Sequence, residues 1–155
     1  MLTPVKPHSL RRQKGRFAII ASRYNARYVD SMLAAAQDVL AKAGARKIQV
    51  TRVPGAFEIP AVAARLALAR PKYDAVICLG VIVRGQTAHA RQIADAVSMS
   101  LAQLQIQHAL PFIHEVLLLE NEAQAEARCL DARHNRGAEA AQTALEMARV
   151  MESLK

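Results

Sequence analysis

The segment Gly80-Val-Ile-Val-Arg-Gly-Gln-Thr-Ala-His89 contains residue types that could bind an anion and move a proton. An apolar run ends at Arg84-Gly85 and a helical pattern follows. Free backbone N–H groups and the positive end of the helix dipole would therefore face a ligand. Thr87 is the expected helix cap, and GxxxxGK[ST] is absent, so this is not a P-loop. We predict an anion site at this turn, where Gly85 lets the backbone approach the ligand closely; an ordinary strand-to-helix turn is the alternative.

His89 falls in the first turn of the helix that follows this segment. The positive end of the dipole disfavours a second positive charge there, so we expect a neutral imidazole near pH 7. A neutral ring beside a bound phosphate is suited to proton transfer, which makes His89 the candidate acid/base. A surface or capping histidine is the other interpretation, and it is the one we apply to His8, His108 and His134.

Residues 53–60, Val-Pro-Gly-Ala-Phe-Glu-Ile-Pro, form a second unusual segment. Two prolines and a glycine restrict its backbone, and it presents Ala56, Phe57 and Glu58. A carboxylate at Glu58 is favoured by the dipole of the next helix. It is either an ordinary first-turn acid or an acceptor for ligand hydroxyl groups.

Three further side chains have the same double interpretation. Tyr24 follows the first predicted strand, and it is either an aromatic at the edge of the core or a flat surface for a planar ring. Arg128 and Arg136 lie on or before the last two predicted helices, where each could close on a phosphate or remain a solvated charge.

The elements that must position these residues alternate between strand and helix. Apolar runs predict strands at 17–21, 48–53, 75–83 and 113–119, and helical spacing follows each of them, with a fifth helix at the end. This order predicts an α/β fold with a parallel sheet and helices on both faces. Ligands in such folds bind beyond the carboxyl ends of the strands, and the candidate residues lie there.

The length of 155 residues fits one domain, which we place at residues 16–155. Residues 1–15 contain Pro4, Pro7 and a basic cluster without periodicity, and we interpret them as a flexible arm. The net charge of +8 raises the question of nucleic acid. The scattered charge and the lack of interleaved aromatics argue against it, and an anionic small molecule fits better.

Cysteine usage and hydropathy indicate a cytoplasmic enzyme. Cys78 and Cys129 lack metal-ligand spacing and are expected to be reduced thiols. The sequence has no signal-peptide pattern and no apolar run of about 20 residues, so we expect neither export nor a membrane span. The sequence offers no metal-ligand constellation.

Four segments together resemble the lumazine synthase family of riboflavin biosynthesis. The matching segments are Ser22-Arg-Tyr-Asn25, residues 53–60, Leu79-Gly-Val-Ile-Val-Arg-Gly-Gln-Thr-Ala-His89, and Asn135-Arg-Gly-Ala-Glu-Ala-Ala141 with Leu145-Glu-Met147 after it. They occur in the order and at the spacing of the family, from about residue 16 to the end.

The resemblance implies a fold, a reaction and a set of site residues. The fold is a flavodoxin-like three-layer α/β/α sandwich around a four-stranded parallel sheet. The reaction condenses 5-amino-6-(D-ribitylamino)uracil with 3,4-dihydroxy-2-butanone 4-phosphate to 6,7-dimethyl-8-ribityllumazine, the penultimate step of riboflavin biosynthesis, with loss of phosphate and water. The resemblance implies no cofactor and no metal. The implied assembly is a homopentamer, which some members extend to pentamer pairs or sixty-subunit shells.

Site residues carried over by the resemblance fall into three groups. The proton-transfer residue is His89. Substrate contacts come from Tyr24, Ala56, Phe57, Glu58, Val81, Ile82, Val83 and His114. Phosphate contacts come from Gly85, Gln86, Thr87, Arg128 and Arg136. His114 and Arg128 would reach the site of a neighbouring subunit.

The chain departs from the family pattern at four positions. The family has an aromatic and an acid where this chain has Ala90 and Arg91, often Phe at His114, and usually Lys at Arg136. The alternative function compatible with these departures is a paralogue that mainly binds a flavin or lumazine.

Overall fold

The computed structural model describes residues 14–155. Four strands and five α-helices alternate in the order expected from the sequence, with one additional short 3₁₀ helix. The elements are β1 (Arg16–Ser22), α1 (Ala26–Lys42), β2 (Lys47–Val53), the 3₁₀ helix (Ala56–Glu58), α2 (Ile59–Ala67), β3 (Ala75–Val83), α3 (His89–His108), β4 (Phe112–Leu119), α4 (Glu122–Cys129) and α5 (Arg136–Ser153).

The four strands form one sheet in the order β2-β1-β3-β4, and every neighbouring pair is parallel. The α/β prediction of a four-stranded parallel sheet with helices on both faces is therefore confirmed. The central strands β1 and β3 are nearly continuous apolar runs because both of their faces are covered. All four carboxyl ends lie along one edge, where the candidate residues gather.

Alternate residues of the central strands contribute to two separate cores. Phe17 and Ile19 pack with α1, α4 and α5 on one face of the sheet. Ala18 and Ile20 pack with α2 and α3 on the other face. This alternation follows from the two-residue period of a strand, and it produces the three-layer sandwich.

The start of α5 packs directly on α1. Asn135 caps α5 by accepting a hydrogen bond from the N–H of Gly137 at 2.9 Å, and its Nδ2 donates to the carbonyl of Cys129 at 2.7 Å. A Cβ atom at Gly137 would lie only 1.9 Å from the carbonyl oxygen of Met32. Only glycine permits this backbone contact.

The prediction that Thr87 caps α3 needs correction. Thr87 does not cap α3: the N-cap is Ala88, without a side-chain cap, and the Thr87 hydroxyl accepts only a long 3.4 Å bond from the N–H of His89. Residues 86–88 form a bend and a turn, and the helix begins one residue later than the prediction requires. Asn121 does cap α4 by accepting from the N–H of Gln124 at 2.9 Å.

The arm predicted at residues 1–15 lies outside the described residues, except for Lys14 and Gly15. Gly15 is already attached to the domain, because its carbonyl accepts a hydrogen bond from the N–H of Arg46 at 2.8 Å. None of the helices within residues 14–155 combines the length and the apolar character needed to cross a bilayer.

Candidate active site

A cavity of about 840 Å³ opens at the carboxyl ends of the strands. Four segments that are distant in sequence supply its walls, and eight of the residues selected from the sequence line it. These eight are Tyr24, Ala56, Phe57, Glu58, Val81, Ile82, Val83 and His89. The volume is in the range typical of small-molecule sites.

The loop after β1 is fastened to its neighbours. The N–H groups of Arg23 and Tyr24 donate to the carbonyl of Pro54 at 3.1 and 3.0 Å. Asn25 adopts a left-handed conformation (φ 56°, ψ 42°), and its Nδ2 donates to the carbonyl of Val81 at 2.7 Å. These bonds join the loop to the 53–58 segment and to β3, while the ring of Tyr24 stays 71% exposed beside the cavity.

Glu58 closes the second loop on itself. Its Oε2 accepts a hydrogen bond from the N–H of Gly55 at 2.8 Å, so the carboxylate is held in one orientation and its other oxygen is available to a ligand. A Cβ at Gly55 would meet this oxygen and the ring of Tyr24, both at 2.9 Å. Glycine at this position lets the two loops approach each other. Phe57 is 60% exposed at the mouth of the cavity.

The turn between β3 and α3 lies directly beside the cavity. Among the described residues, the backbone N–H groups of Gly85, Gln86 and Thr87 have no hydrogen-bond partner. A Cβ at Gly85 would meet nothing within 4 Å, so the turn is open to a ligand. An ion pair of 3.0 Å between Arg84 and Glu120 holds the start of the turn to the end of β4. Unpaired N–H groups at a helix start are suited to an anion.

His89 is the first residue of α3, and its exposed side chain lines the cavity. The sequence interpretation missed Gln92, Ile93 and Ala96, which line the same wall. Their spacing of three, four and seven residues from His89 is the spacing of one helix face, and this signal could have identified them. Asn25 and Gly55 are also lining residues that were not selected as site residues.

Six selected residues do not line this cavity. Gly85, Gln86 and Thr87 lie in the adjacent turn, and the other three lie elsewhere. His114 is exposed on β4, and its Nε2 is 2.8 Å from the Ser98 hydroxyl of α3. Arg128 lies on α4 and Arg136 starts α5, where Arg136 is paired with Glu139. Within one chain the fold does not bring these three side chains to the cavity.

Glu115 is a partly buried carboxylate on β4, next to His114. Burial is the main reason that its pKa is raised to about 7; Arg136 and Arg128 lower the pKa and Glu139 raises it, and all these effects are included in that value. It is exceptional in a strand that is otherwise largely apolar. A carboxylate placed in an apolar run is the sequence signal that could have identified it.

Neither cysteine has the features of a nucleophile. Cys78 and Cys129 are free and buried. Burial raises the pKa of the Cys78 thiol, and it raises the pKa of Cys129 to about 11. Thiolates are therefore scarce at neutral pH. Within residues 14–155, no three His, Cys, Asp or Glu side chains are grouped as metal ligands.

Comparison with known proteins gives the family. The sequence profile of 6,7-dimethyl-8-ribityllumazine synthase matches residues 14–152. This chain belongs to the lumazine synthase family. The match covers every element of the sheet and all the candidate site residues, so the resemblance and the flavodoxin-like fold inferred from the sequence are confirmed.

Individual relatives have the same name. The chain is 42% identical over 144 residues to 6,7-dimethyl-8-ribityllumazine synthase of Stenotrophomonas maltophilia (strain R551-3), covering 92% of each protein. It is 43% identical over 147 residues to that of Xanthomonas oryzae pv. oryzae (strain PXO99A), covering 94% of this chain and 95% of the relative. The synthase of Clostridium kluyveri (strain NBRC 12016) is 39% identical over 142 residues, covering 90% and 92%. These names do not support the alternative of a binding paralogue.

Proposed function

We propose that this chain catalyses the reaction of its family. It condenses 5-amino-6-(D-ribitylamino)uracil with 3,4-dihydroxy-2-butanone 4-phosphate to 6,7-dimethyl-8-ribityllumazine and releases phosphate and water. The observation that carries the proposal is the single cavity at the carboxyl ends of the strands. It collects an aromatic ring, a fixed carboxylate, an apolar wall and a histidine from four separate segments.

The planar uracil binds between aromatic and apolar surfaces. Tyr24 offers an exposed ring on one side, and the end of β3 at Val81, Ile82 and Val83 offers an apolar wall. Phe57 covers the mouth of the cavity. Flat rings gain both buried area and stacking from such surroundings. Glu58 accepts hydrogen bonds from the ribityl hydroxyls with the oxygen that Gly55 does not occupy.

The phosphate of the second substrate binds at the turn before α3. The unpaired N–H groups of Gly85, Gln86 and Thr87 and the helix dipole together stabilise an anion there. This placement brings the butanone carbons next to His89. Holding two substrates in register lowers the entropic part of the barrier, which can account for much of the acceleration.

His89 transfers the protons that the condensation requires. Forming an imine from the amine and the ketone, expelling phosphate and closing the ring each require a proton to move. The exposed imidazole lies on the cavity wall. Within residues 14–155 its ring nitrogens have no side-chain partner, since the bond to Thr87 is made by the backbone N–H of His89. General acid–base catalysis by a positioned histidine contributes about 10²-fold or more.

A neighbouring subunit completes the site in a homopentamer-based assembly. His114, Arg128 and Arg136 do not line the cavity of their own chain, and in this assembly they contact the site of a neighbouring chain. The outer face of α3 supports association, since Met99 and Ile106 are 74% and 83% exposed and apolar. Native mass spectrometry should show multiples of five chains, and a monomer would contradict this assembly. The two free, buried cysteines fit a cytoplasmic location.

Turnover tests the proposal directly. Purified protein incubated with both substrates should form the absorbing and fluorescent lumazine faster than the spontaneous reaction. His89→Ala should lower the rate about 10²-fold, whereas the matched control His108→Ala, at the opposite end of α3, should keep it. Equal rates for the two variants would contradict the proton-transfer role of His89. If the parent protein does not accelerate the reaction, the proposed function is wrong.

A further inference from the structure

A second cavity lies at the opposite edge of the sheet. It has a volume of about 470 Å³ and opens at the amino ends of β1 and β2, beside the end of α2 and the segment that leads into β3. The seven residues of β1 separate it from the candidate active site. At about 3.3 Å per strand residue the separation is about 20 Å, so the two cavities cannot share one small ligand.

Cations dominate the lining of this second cavity. Arg16, Lys47, Arg65 and Arg70 line it, and no Asp or Glu does. Within residues 14–155 none of these four side chains forms an ion pair with a carboxylate. The carboxylate of Asp74 is nearby, but it accepts from the backbone N–H of Arg16 at 2.7 Å. The cavity therefore holds uncompensated positive charge.

Two of the cations are forced together by the sheet. Arg16 and Lys47 are directly opposite in the β1–β2 register, and like charges in this position destabilise strand pairing. Nε of Arg16 is buried and has no hydrogen-bond partner among residues 14–155. An anion in the cavity beside these two side chains would offset the repulsion between them.

The remaining contacts hold the arginine in place. The guanidinium of Arg16 lies over the ring of Tyr73 at 5.7 Å from its centroid, and the Tyr73 hydroxyl bonds to Gln49. The Tyr73 ring face that Arg16 covers therefore offers no stacking surface for a nucleic-acid base. A recessed cavity with fixed guanidinium groups fits a compact anion better than an extended polymer.

We propose that this cavity binds the phosphate group of a small phosphorylated metabolite. Arg16, Lys47 and Arg65 bind the phosphate oxygens, and the remaining volume accommodates the organic part of a phosphate monoester. The site is separate from the phosphate-binding turn at residues 85–87 and does not depend on the reaction assigned to that turn.

Matched double variants test the site. Lys47→Gln/Arg65→Gln removes two cations of the cavity, and Arg46→Gln/Lys72→Gln removes two exposed cations that do not line it. Equilibrium dialysis with inorganic phosphate and with ribose 5-phosphate, at about 0.15 M salt to screen exposed charge, measures the sites per chain. In the first variant one class of sites should weaken about tenfold or more, as expected when charge-assisted bonds are lost. The control should stay within about twofold of the parent, since exposed charges contribute little.

Thermal unfolding provides an independent measurement. Without phosphate, Lys47→Gln/Arg65→Gln should be at least as stable as the parent, because the opposed like charges are gone. Phosphate should raise the unfolding temperature of the parent more than that of this variant. Tighter binding of ribose 5-phosphate identifies an ester as the ligand, and equal binding identifies the free anion; both support the site.

Equal binding by both double variants would overturn the proposal. If binding is lost only in a variant of the 85–87 turn, the phosphate binds at the reaction's own site and the second cavity is not a phosphate site. Conversely, retention of the Lys47-dependent site in a protein without turnover would support this proposal and contradict the proposed function.

Discussion

Replacing Glu115 by Gln should make the protein more stable at alkaline pH and leave it nearly unchanged at acidic pH. Burial raises the pKa of Glu115 from 4.5 to about 7 in the folded chain. The folded state therefore binds a proton more tightly than the unfolded state. Stability falls as the pH rises from about 4.5 to about 7 and stays reduced above that range.

The size of this effect follows from the shift. Each unit of pKa corresponds to about 1.4 kcal/mol, so the shift of Glu115 from 4.5 to about 7 sets a ceiling of about 3 kcal/mol on the free energy lost at high pH. Partial exposure of the side chain screens its charge, and we expect a gain of about 1–3 kcal/mol for Glu115→Gln at pH 8.5. At pH 4 the carboxyl of Glu115 is mostly protonated in both the folded and the unfolded wild-type protein and resembles the amide, so the two proteins should have similar stability.

Urea unfolding at pH 4 and pH 8.5, at one fixed protein concentration, measures the difference. Glu146→Gln is the matched control, because Glu146 is exposed on α5 and should change stability equally at the two pH values. If Glu115→Gln changes the free energy of unfolding by the same amount at both pH values, the carboxylate does not titrate as a buried group and the reasoning fails.

Three other variants test the packing and the cavity. Gly137→Ala should destabilise the fold by about 3 kcal/mol in urea unfolding, because its Cβ would clash with the Met32 carbonyl 1.9 Å away; Gly85→Ala, with nothing within 4 Å, should not. Phe57→Ala should raise the KM for the uracil substrate without changing the unfolding temperature, since the ring is 60% exposed; a lower unfolding temperature would assign it to the core instead. Asn25→Gly keeps the left-handed conformation and loses the bond to β3, so it should lose about 1 kcal/mol of stability, and an unchanged midpoint would contradict this.

The fold was predictable because its signals are local and repeated. The run from Ala75 to Val83 has both flanks covered by helices, and its bounds were predicted correctly from the apolar pattern. The N-cap of α3 was not: the turn before it is joined to β4, where the N–H of Arg84 donates to the carbonyl of Leu119 at 2.8 Å. Long-range contacts of this kind leave no trace in a local pattern.

Only part of the candidate site was predictable from such local signals. Tyr24, Glu58 and His89 each lie in the segment that follows the carboxyl end of a strand, so topology alone places them at one edge of the sheet. The bond from Asn25 to β3 could not be foreseen, because it spans 56 residues. The cationic cavity at the other edge depends on the register that puts Arg16 opposite Lys47, and register is a property of the assembled sheet.

The hydrogen bond between the Asn25 side chain and the Val81 carbonyl joins the loop after β1 to β3. Two sides of the candidate active-site cavity are therefore linked into one stiff frame before any ligand binds. A stiff frame loses little conformational freedom on docking, and the ligand's own flexibility then decides how much affinity is lost to ordering. Inhibitors with a fused, inflexible ring system and a short constrained polyol should therefore outperform longer, more mobile analogues that make the same contacts.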